Sequence, residues 1–420
     1  MRVLVISHNV FSAAESMGKT LSGYFSDFAP EELAQFYIHS QVPVVDMCHR
    51  YYRMTDKEAI KSMFGFRCGT AFDVTNIQKS RGSSRTDEGV TATLYQKARK
   101  RTPAIYMARN LWWKLSRWNT KQFQNWLNEF DPECVFFASG DYGFMYDIAW
   151  KIASDRKIPL YIVCMDDYYF FNKNQDSLLG RWQHKQFMKS VKRAVAYSSK
   201  LFCICDKMSA DYASFFQKPC VTIHTPASIE KPLAFKKKPQ ISYLGNLGFL
   251  RHQQLIAIGQ ALKKLGLEPD HVDVYSTESR PEILEEMTEE NGIVFHGSVG
   301  ADEVLKIMGE SLSIIHTESF DEKTRQSVRY SVSTKIADSV SSGTCIFAYG
   351  PAEIASIDYL NRTDAAVCCT DKDDLPQKLN MLITDAQLRD VVVHNALKLA
   401  RKNHAKSFTP EIIKKELQAQ

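Results

Sequence analysis

The chain has no long apolar run. Its uninterrupted hydrophobic stretches are of strand length, whereas a membrane-spanning helix needs about 20 apolar residues, so a membrane span is excluded. It has no Cys-x-x-Cys pair. Its 10 cysteines include the close pairs Cys203/Cys205 and Cys368/Cys369, and neither spacing is that of a zinc or redox motif. Cys134, Cys164 and Cys345 fall inside strand-like runs, which reads as buried free thiols in a reducing compartment. Charge of one sign is barely in excess: a net +5 spread over 420 residues gives no argument for nucleic acid. There is no solenoid-length repeat and no low-complexity block. No cluster has metal-ligand spacing, and Asp371-Lys-Asp373 lies too near the end to serve as an Asp-x-Asp metal motif. No metal and no cofactor are expected. Met1 to Ser7 runs straight into a strand-like segment without the apolar core of a secretion signal, so a cytoplasmic location is the expectation.

What is present is a long chain with apolar content of 44%, enough for two cores of ordinary size. Strand-like and helical patterns alternate throughout, and such alternation implies parallel sheets. In the first half, strands are expected at Val3–Ser7, Gln35–His39, Cys134–Ala138, Leu160–Cys164, Leu201–Cys205 and Val221–His224, with helices at Tyr146–Ser154 and Gln183–Ala196. The polar stretch Thr70–Gly89 reads as a loop. A proline-bracketed polar segment, Pro226–Gln240, then separates a second series. Its strands are expected at Ile241–Leu244, Val272–Tyr275, Ile293–His296, Leu312–His316, Cys345–Tyr349 and Ala365–Cys369. Helices follow at Gln253–Leu265, Asp302–Glu310, Lys335–Val340, Asp385–Asn403 and Pro410–Leu417. The economical arrangement is a Rossmann-like domain over 1–228, a linker over 229–240, a second such domain over 241–405 and a closing helix over 406–420. The cleft between the domains is where a ligand is expected.

The most informative stretch is Leu312–Pro351. An apolar run ends in His316-Thr317-Glu318-Ser319, a charged loop follows, and Ser333–Val340 has helical spacing with Ile336 and Val340 on one face and Thr334 and Asp338 on another. Gly343 ends that helix and a buried strand follows. Doubly wound sheets bind ligands where strands end and helices begin. Lys335, in the first turn of the helix beside free N–H groups, suits a phosphate. Asp338, one turn on, suits a ribose hydroxyl. Earlier, Tyr243-Leu-Gly245-Asn246-Leu-Gly248-Phe-Leu-Arg251 joins a strand to a helix. Its glycines allow close backbone approach, and Arg251 can meet a diphosphate with two parallel contacts. Val294-Phe-His296-Gly297-Ser298 ends another strand in a glycine-flanked loop whose backbone can face a nucleobase.

Taken in order, Tyr-Leu-Gly-Asn…Arg251, Val-Phe-His-Gly297 and Thr334-Lys335-Ile-Ala-Asp338…Gly343 resemble the donor-binding domain of GT-B-fold glycosyltransferases, chiefly those that build bacterial surface polysaccharides. The resemblance spans most of 240–405 and is looser before it. It implies an α/β fold of two Rossmann-like doubly wound domains facing across a cleft. It implies a nucleoside diphosphate sugar as donor, a saccharide or lipid-linked acceptor, and a role in surface polysaccharide or lipopolysaccharide synthesis. Gly245, Asn246, Arg251, Gly297, Ser298, Glu318, Thr334, Lys335 and Asp338 become the donor-side residues, with Arg251 and Lys335 on the diphosphate. Three departures stand out. Asp338 replaces a longer Glu. Asn246 stands where a cation is common. Tyr330 occupies the first position of the family's E-x7-E spacing, leaving Glu318 or Glu322 to substitute.

The first domain is then expected to bind the acceptor and supply a base. Asp141 follows the strand Cys134–Ala138, Asp166 and Asp167 follow Leu160–Cys164, and His8 follows Val3–Ser7. Each can accept a proton from an acceptor hydroxyl, and each carboxylate can instead cap the structure that follows it. Gly18-Lys19-Thr20 has the end of a phosphate-binding loop but lacks the glycine needed at Ala13, which excludes a Walker A site. Gly18 and Lys19 are placed instead on an acceptor-side loop. Finally, Gln96–Phe130 is basic and aromatic. Most of its tryptophans are expected to pack on the sheet, while the cations of 96–126 can touch anionic lipid at the inner face of a membrane. Two other readings share these residues: a nucleotide-sugar epimerase, and a non-catalytic scaffold of a polysaccharide assembly complex.

Overall fold

The computed structural model describes residues 1–12, 16–43, 47–73, 102–170 and 177–419. They form two compact units, Met1–Ile223 with Thr409–Gln420, and His224–Phe408. Each is a sheet of mainly parallel strands wrapped by helices.

The sheet of the first unit has eight strands among the described residues: β1 (Val3–Ser7), β2 (Leu33–Tyr37), β3 (Arg50–Arg53), β4 (Thr70–Asp73), β5 (Cys134–Ala138), β6 (Leu160–Cys164), β7 (Lys200–Cys203) and β8 (Cys220–Thr222). Their order is β4-β3-β2-β1-β5-β6-β7-β8, with β4 antiparallel to β3 at the edge. The central strands are buried at every position, as a sheet covered on both faces requires. The sequence misses β3 and β4. Arg50-Tyr-Tyr-Arg53 is charged at both ends, and β4 alternates half-exposed with exposed residues, so neither has the apolar run of a central strand. The second strand also lies two residues earlier than expected. Ile38 N and His39 N both donate to the His8 carbonyl (3.3 and 3.0 Å), which takes them out of the ladder after Tyr37.

Within the basic, aromatic segment the described residues form two helices, Pro103–Leu115 and Lys121–Phe130. Thr102 caps the first, and Thr120 caps the second by accepting from Phe123 N at 3.1 Å. The cations Lys97, Arg99, Lys100 and Arg101, and most of the expected loop Thr70–Gly89, lie outside the described residues.

The second unit contains β9 (Lys238–Leu244), β10 (Val272–Tyr275), β11 (Ile293–Gly297), β12 (Ser311–Thr317), β13 (Cys345–Tyr349) and β14 (Val367–Cys369). Their order is β11-β10-β9-β12-β13-β14, and every adjacent pair is parallel. The connector before β9 is fastened along its length rather than loose. His224 stacks on Tyr359 with ring centroids 5.3 Å apart, and Ala227 N donates to the His404 carbonyl at 2.9 Å. Leu233 N donates to the Ser342 carbonyl, and Lys237 reaches Gly309 O and Thr344 Oγ. The closing helix, Phe408–Gln418, returns to the first unit, where Ile413 and Leu417 are buried beside Val3, Leu21 and Phe25.

Candidate functional site

In the second unit the chain steps from β9 outward to β10 and β11, then crosses back to β12. The strand order therefore reverses between β9 and β12, and crevices form at such reversals beyond the carboxyl ends of the strands. A cavity of about 450 Å³ lies there. Tyr243 and Leu244 of β9, Tyr275 of β10 and Ile314 to Thr317 of β12 line its floor. Gly245, Asn246, Arg251, Ser298, Lys335 and Asp338 complete it, so six of the nine expected donor-side residues meet in one place.

The loop from Gly245 to Arg251 is tightly built. A Cβ on Gly245 would lie 2.7 Å from the ring of Tyr243, whose hydroxyl donates to the Asn246 carbonyl at 2.6 Å. Asn246 Oδ1 accepts from Gly248 N at 2.6 Å, so the side chain that replaces a cation shapes the turn. Phe249 and Leu250 are both left-handed, at φ 58° and 57°, a costly backbone for residues with side chains. Such strain collects where a loop must hold a defined geometry. It delivers Arg251 to the start of helix Arg251–Leu265.

Arg251 does not point freely into the cavity. Its guanidinium bonds Glu318, with NH2 at 2.8 and 3.0 Å from the two carboxylate oxygens and Nε at 3.3 Å. Glu318 is 1% exposed and Arg251 16%. Burial pushes the Glu318 pKa up against the pull of Arg251, while burial opposes the charge on Arg251 but Glu318 more than offsets it. Glu318 thus acts from below, fixing the guanidinium. His316 lies beside the pair. Burial and the Arg251 charge push its pKa down to about 3, and its Nε2 is 2.9 Å from Ser356 Oγ.

Lys335 starts helix Lys335–Ser341 and reaches back to the Leu244 carbonyl at 2.9 Å. Burial of the ammonium, with Arg251 near, lowers its pKa. Both expected diphosphate contacts therefore sit at the same sheet edge. Asp338 is less available than its position suggests: Oδ1 accepts from the backbone N–H of Ser228 at 2.6 Å and of Ile229 at 3.3 Å. Thr334 precedes the helix with an exposed side chain and makes no capping bond. Gly297 ends β11 at φ 76°, its carbonyl accepting from Ser276 N. Glu322 is exposed on helix Glu322–Val328, and Tyr330 is buried with Arg329 over its ring at 4.3 Å. The sequence reading missed Tyr275, Ser276 and Thr277, whose signal was only their place at the end of a strand.

The first unit reverses its strand order between β1 and β5. His8 follows β1 and Asp141 follows β5, so both flank that reversal, and helix Pro103–Leu115 meets both. Tyr106 Oη donates to Asp141 Oδ2. Arg109 NH2 lies 3.3 Å from His8 Nε2, and its Nε donates to Asp56 Oδ1 at 2.9 Å. The other His8 nitrogen faces Asn9 Oδ1 at 3.3 Å. Burial, Arg109 and His39 together push the His8 pKa down to about 4. Asp166 and Asp167 shape a turn after β6. Asp166 is exposed and accepts from Asp167 N, while buried Asp167 accepts from Tyr169 N, Phe170 N and Tyr212 Oη. Gly18 is buried, and a Cβ there would stand 2.4 Å from the Val10 carbonyl, so glycine lets helix Ser16–Tyr24 close on the first loop. Lys19 beside it is exposed. Among the described residues no group of three or more His, Cys, Asp or Glu is placed to hold a metal ion.

Solved structures with this layout are known. HepE from Anabaena, in complex with UDP, matches with a TM-score of 0.61 at 10% identity, covering all of both chains. That layout has a name. The chain has the GT-B fold. The α,α-trehalose-phosphate synthase (UDP-forming) of Burkholderia xenovorans, in complex with glucose-6-phosphate, matches this GT-B chain at 0.60 and 10% identity, again over both whole chains. WaaG, a glycosyltransferase involved in lipopolysaccharide biosynthesis, matches over both whole chains at 0.55 and 13% identity. No protein-family model and no curated protein sequence matches the chain.

Proposed function

We propose that the chain is a glycosyltransferase that moves a sugar from a nucleoside diphosphate sugar to a saccharide or lipid-linked acceptor, in surface polysaccharide or lipopolysaccharide synthesis. The observation that carries this is the convergence of Arg251 and Lys335 on one cavity at a strand-order reversal. The presence of UDP in the HepE complex supports a nucleotide there. When the sugar–diphosphate bond breaks, negative charge grows on the leaving diphosphate. Cations already fixed in place stabilise that charge without reorganising. Glu318 holds Arg251 ready, and the Lys335 ammonium has, among the described residues, a neutral carbonyl to leave. On the acceptor side, both His8 nitrogens have partners. Asp141 and Asp166, at the same sheet edge, are the carboxylates expected to take the acceptor proton.

The test is a thermal-shift screen with UDP, GDP, CMP and their sugars on the wild type and on Lys335→Ala. A ligand at about 100 times its Kd stabilises the folded state by roughly 2.7 kcal/mol. One nucleoside diphosphate is expected to raise the melting temperature. Lys335→Ala is expected to weaken it by about 10- to 100-fold, the worth of a charged hydrogen bond. Absence of any shift with every nucleotide would sink the assignment.

A further inference from the structure

We infer that the first unit carries an oxidisable dithiol, Cys203 of β7 with Cys220 of β8, which a hydroperoxide converts to a disulfide. The pair lies wholly in the first unit and does not depend on the donor cavity in the second.

All 10 cysteines are free thiols, and all are buried except Cys220 and Cys368, which are half-buried. Sheet register brings three of them together. Cys164 of β6 is the partner of Cys203, and Cys220 partners Leu201, two residues before Cys203. Register partners, and residues two apart along a strand, share a sheet face. All three thiols therefore project from one face on three neighbouring strands. The Cys203 and Cys220 thiols are hydrogen-bonded, and Cys203 also meets Cys164. Cys164 lies deeper, its Sγ 3.6 Å from the buried Tyr169 hydroxyl. β8 is three residues long and stands at the edge of the sheet, with β7 as its neighbour.

Burial divides the labour within the pair. A charge is costly in the core and cheap at a wet sheet edge. Cys203 is fully buried and keeps its proton: its hydrogen bonds with Cys164 and Cys220, together with burial, push its pKa up. The bond from Cys203 holds the Cys220 thiol below its ordinary range, against the effect of burial. Cys368 is the internal comparison. It too is half-buried, yet burial pushes its thiol up to about 12. A thiolate at the edge with a second thiol behind it is the arrangement of a redox-sensing pair, and such bridges are transient in a reducing compartment. The Cys220 thiolate attacks one oxygen of hydrogen peroxide. The O–O bond breaks, Cys220 becomes a sulfenic acid, and the hydroxide released takes up the proton that Cys220 had given to solvent. The Cys203 sulfur then attacks the sulfenic sulfur. The S–O bond breaks, and the departing hydroxide leaves as water with the Cys203 proton. Two thiols and one peroxide thus give one disulfide and two waters. Diagonal neighbours on a sheet lie about 7–8 Å apart and bridged cysteines about 4.4–6.8 Å between Cα atoms. The bridge therefore draws β8 toward β7 by about an ångström, a shift open to a three-residue edge strand.

The experiment is oxidation of the folded full chain with hydrogen peroxide near neutral pH, followed by peptide mapping without reductant. A parallel sample contains dimedone, which traps sulfenic acids. Wild type is expected to yield a Cys203–Cys220 cross-link while Cys368 stays a thiol. Cys203→Ser keeps a donor beside Cys220 but removes the second sulfur, so the dimedone adduct at Cys220 should rise several-fold over wild type. Cys220→Ser should lose cross-link and adduct together. Iodoacetamide gives a reading that needs no variant. Cys220 should alkylate at least about tenfold faster than Cys368, because its excess of thiolate outweighs its lower nucleophilicity. Circular dichroism reports whether each variant is folded, and if one is not, the wild-type map and the two alkylation rates decide alone. The inference is overturned if Cys368 or a buried cysteine oxidises before Cys220, or if Cys203→Ser leaves the adduct at the wild-type level. It is equally overturned if Cys220 oxidises without linking to Cys203, whether it stays a sulfenic acid or links to Cys164.

Discussion

Burial and the Arg251 guanidinium push the pKa of His316 down to about 3, and burial with Arg109 pushes that of His8 down to about 4. Both rings are neutral in the folded chain at pH 5, whereas an unfolded histidine titrates near 6.5. Below that value the unfolded state binds protons that the folded state refuses, so stability is fully present above pH 6.5 and is lost as pH falls. Each ring contributes at most about 1.4 kcal/mol per pH unit to that loss. Urea melts from pH 7 down to pH 4.5 should show the decline, and His316→Asn should flatten it by about one proton's worth. An unchanged slope in the variant would mean that the ring is protonated when folded. His8, Arg251 and the polar cluster at His316 to Ser319 were each legible in the sequence. The Arg251–Glu318 pair was not, because its members are 67 residues apart and only strand order makes them neighbours.

Asp338 illustrates what an element decides. Its helical position puts it in the cavity wall, as its spacing from Lys335 implies, yet its carboxylate is spent on the backbone of Ser228 and Ile229. The connector is thereby clamped to helix Lys335–Ser341. Asp338→Ala should leave those two amides without their acceptor and cost about 1–3 kcal/mol locally. Hydrogen exchange should show faster exchange at 228 and 229, with the amides of β12 and β13 unaffected. Equal exchange in wild type and variant would show that the clamp holds nothing. Periodicity located the helix and Gly343 its end, at φ 76°. It could not report the partner of the carboxylate, which is backbone and carries no side-chain signature.

At the scale of the molecule, the last helix belongs with the first strands. Ile413 and Leu417 are fully buried among residues of β1 and helix Ser16–Tyr24, and Lys200 pairs with Glu416. Burying two such aliphatic side chains contributes about 1.5–3 kcal/mol each. Deleting 409–420 should therefore lower the melting transition of the first unit and leave that of the second, with its nucleotide response, in place. Calorimetry of the truncated chain checks this, and an equal fall in both transitions would refute it. The amino-acid order by itself determined the alternation of strands and helices, and with it two parallel sheets, because apolar runs and helical periods are local properties of the chain. It also placed Arg251 and Lys335, because βα turns have local signatures in glycine and polar residues. Tertiary structure alone decided that Glu318 underlies Arg251, that Asp338 fastens the connector, that Arg109 meets His8 and that the final helix completes the first core. Those four facts rest on strand order and on contacts between distant segments, which no local pattern encodes.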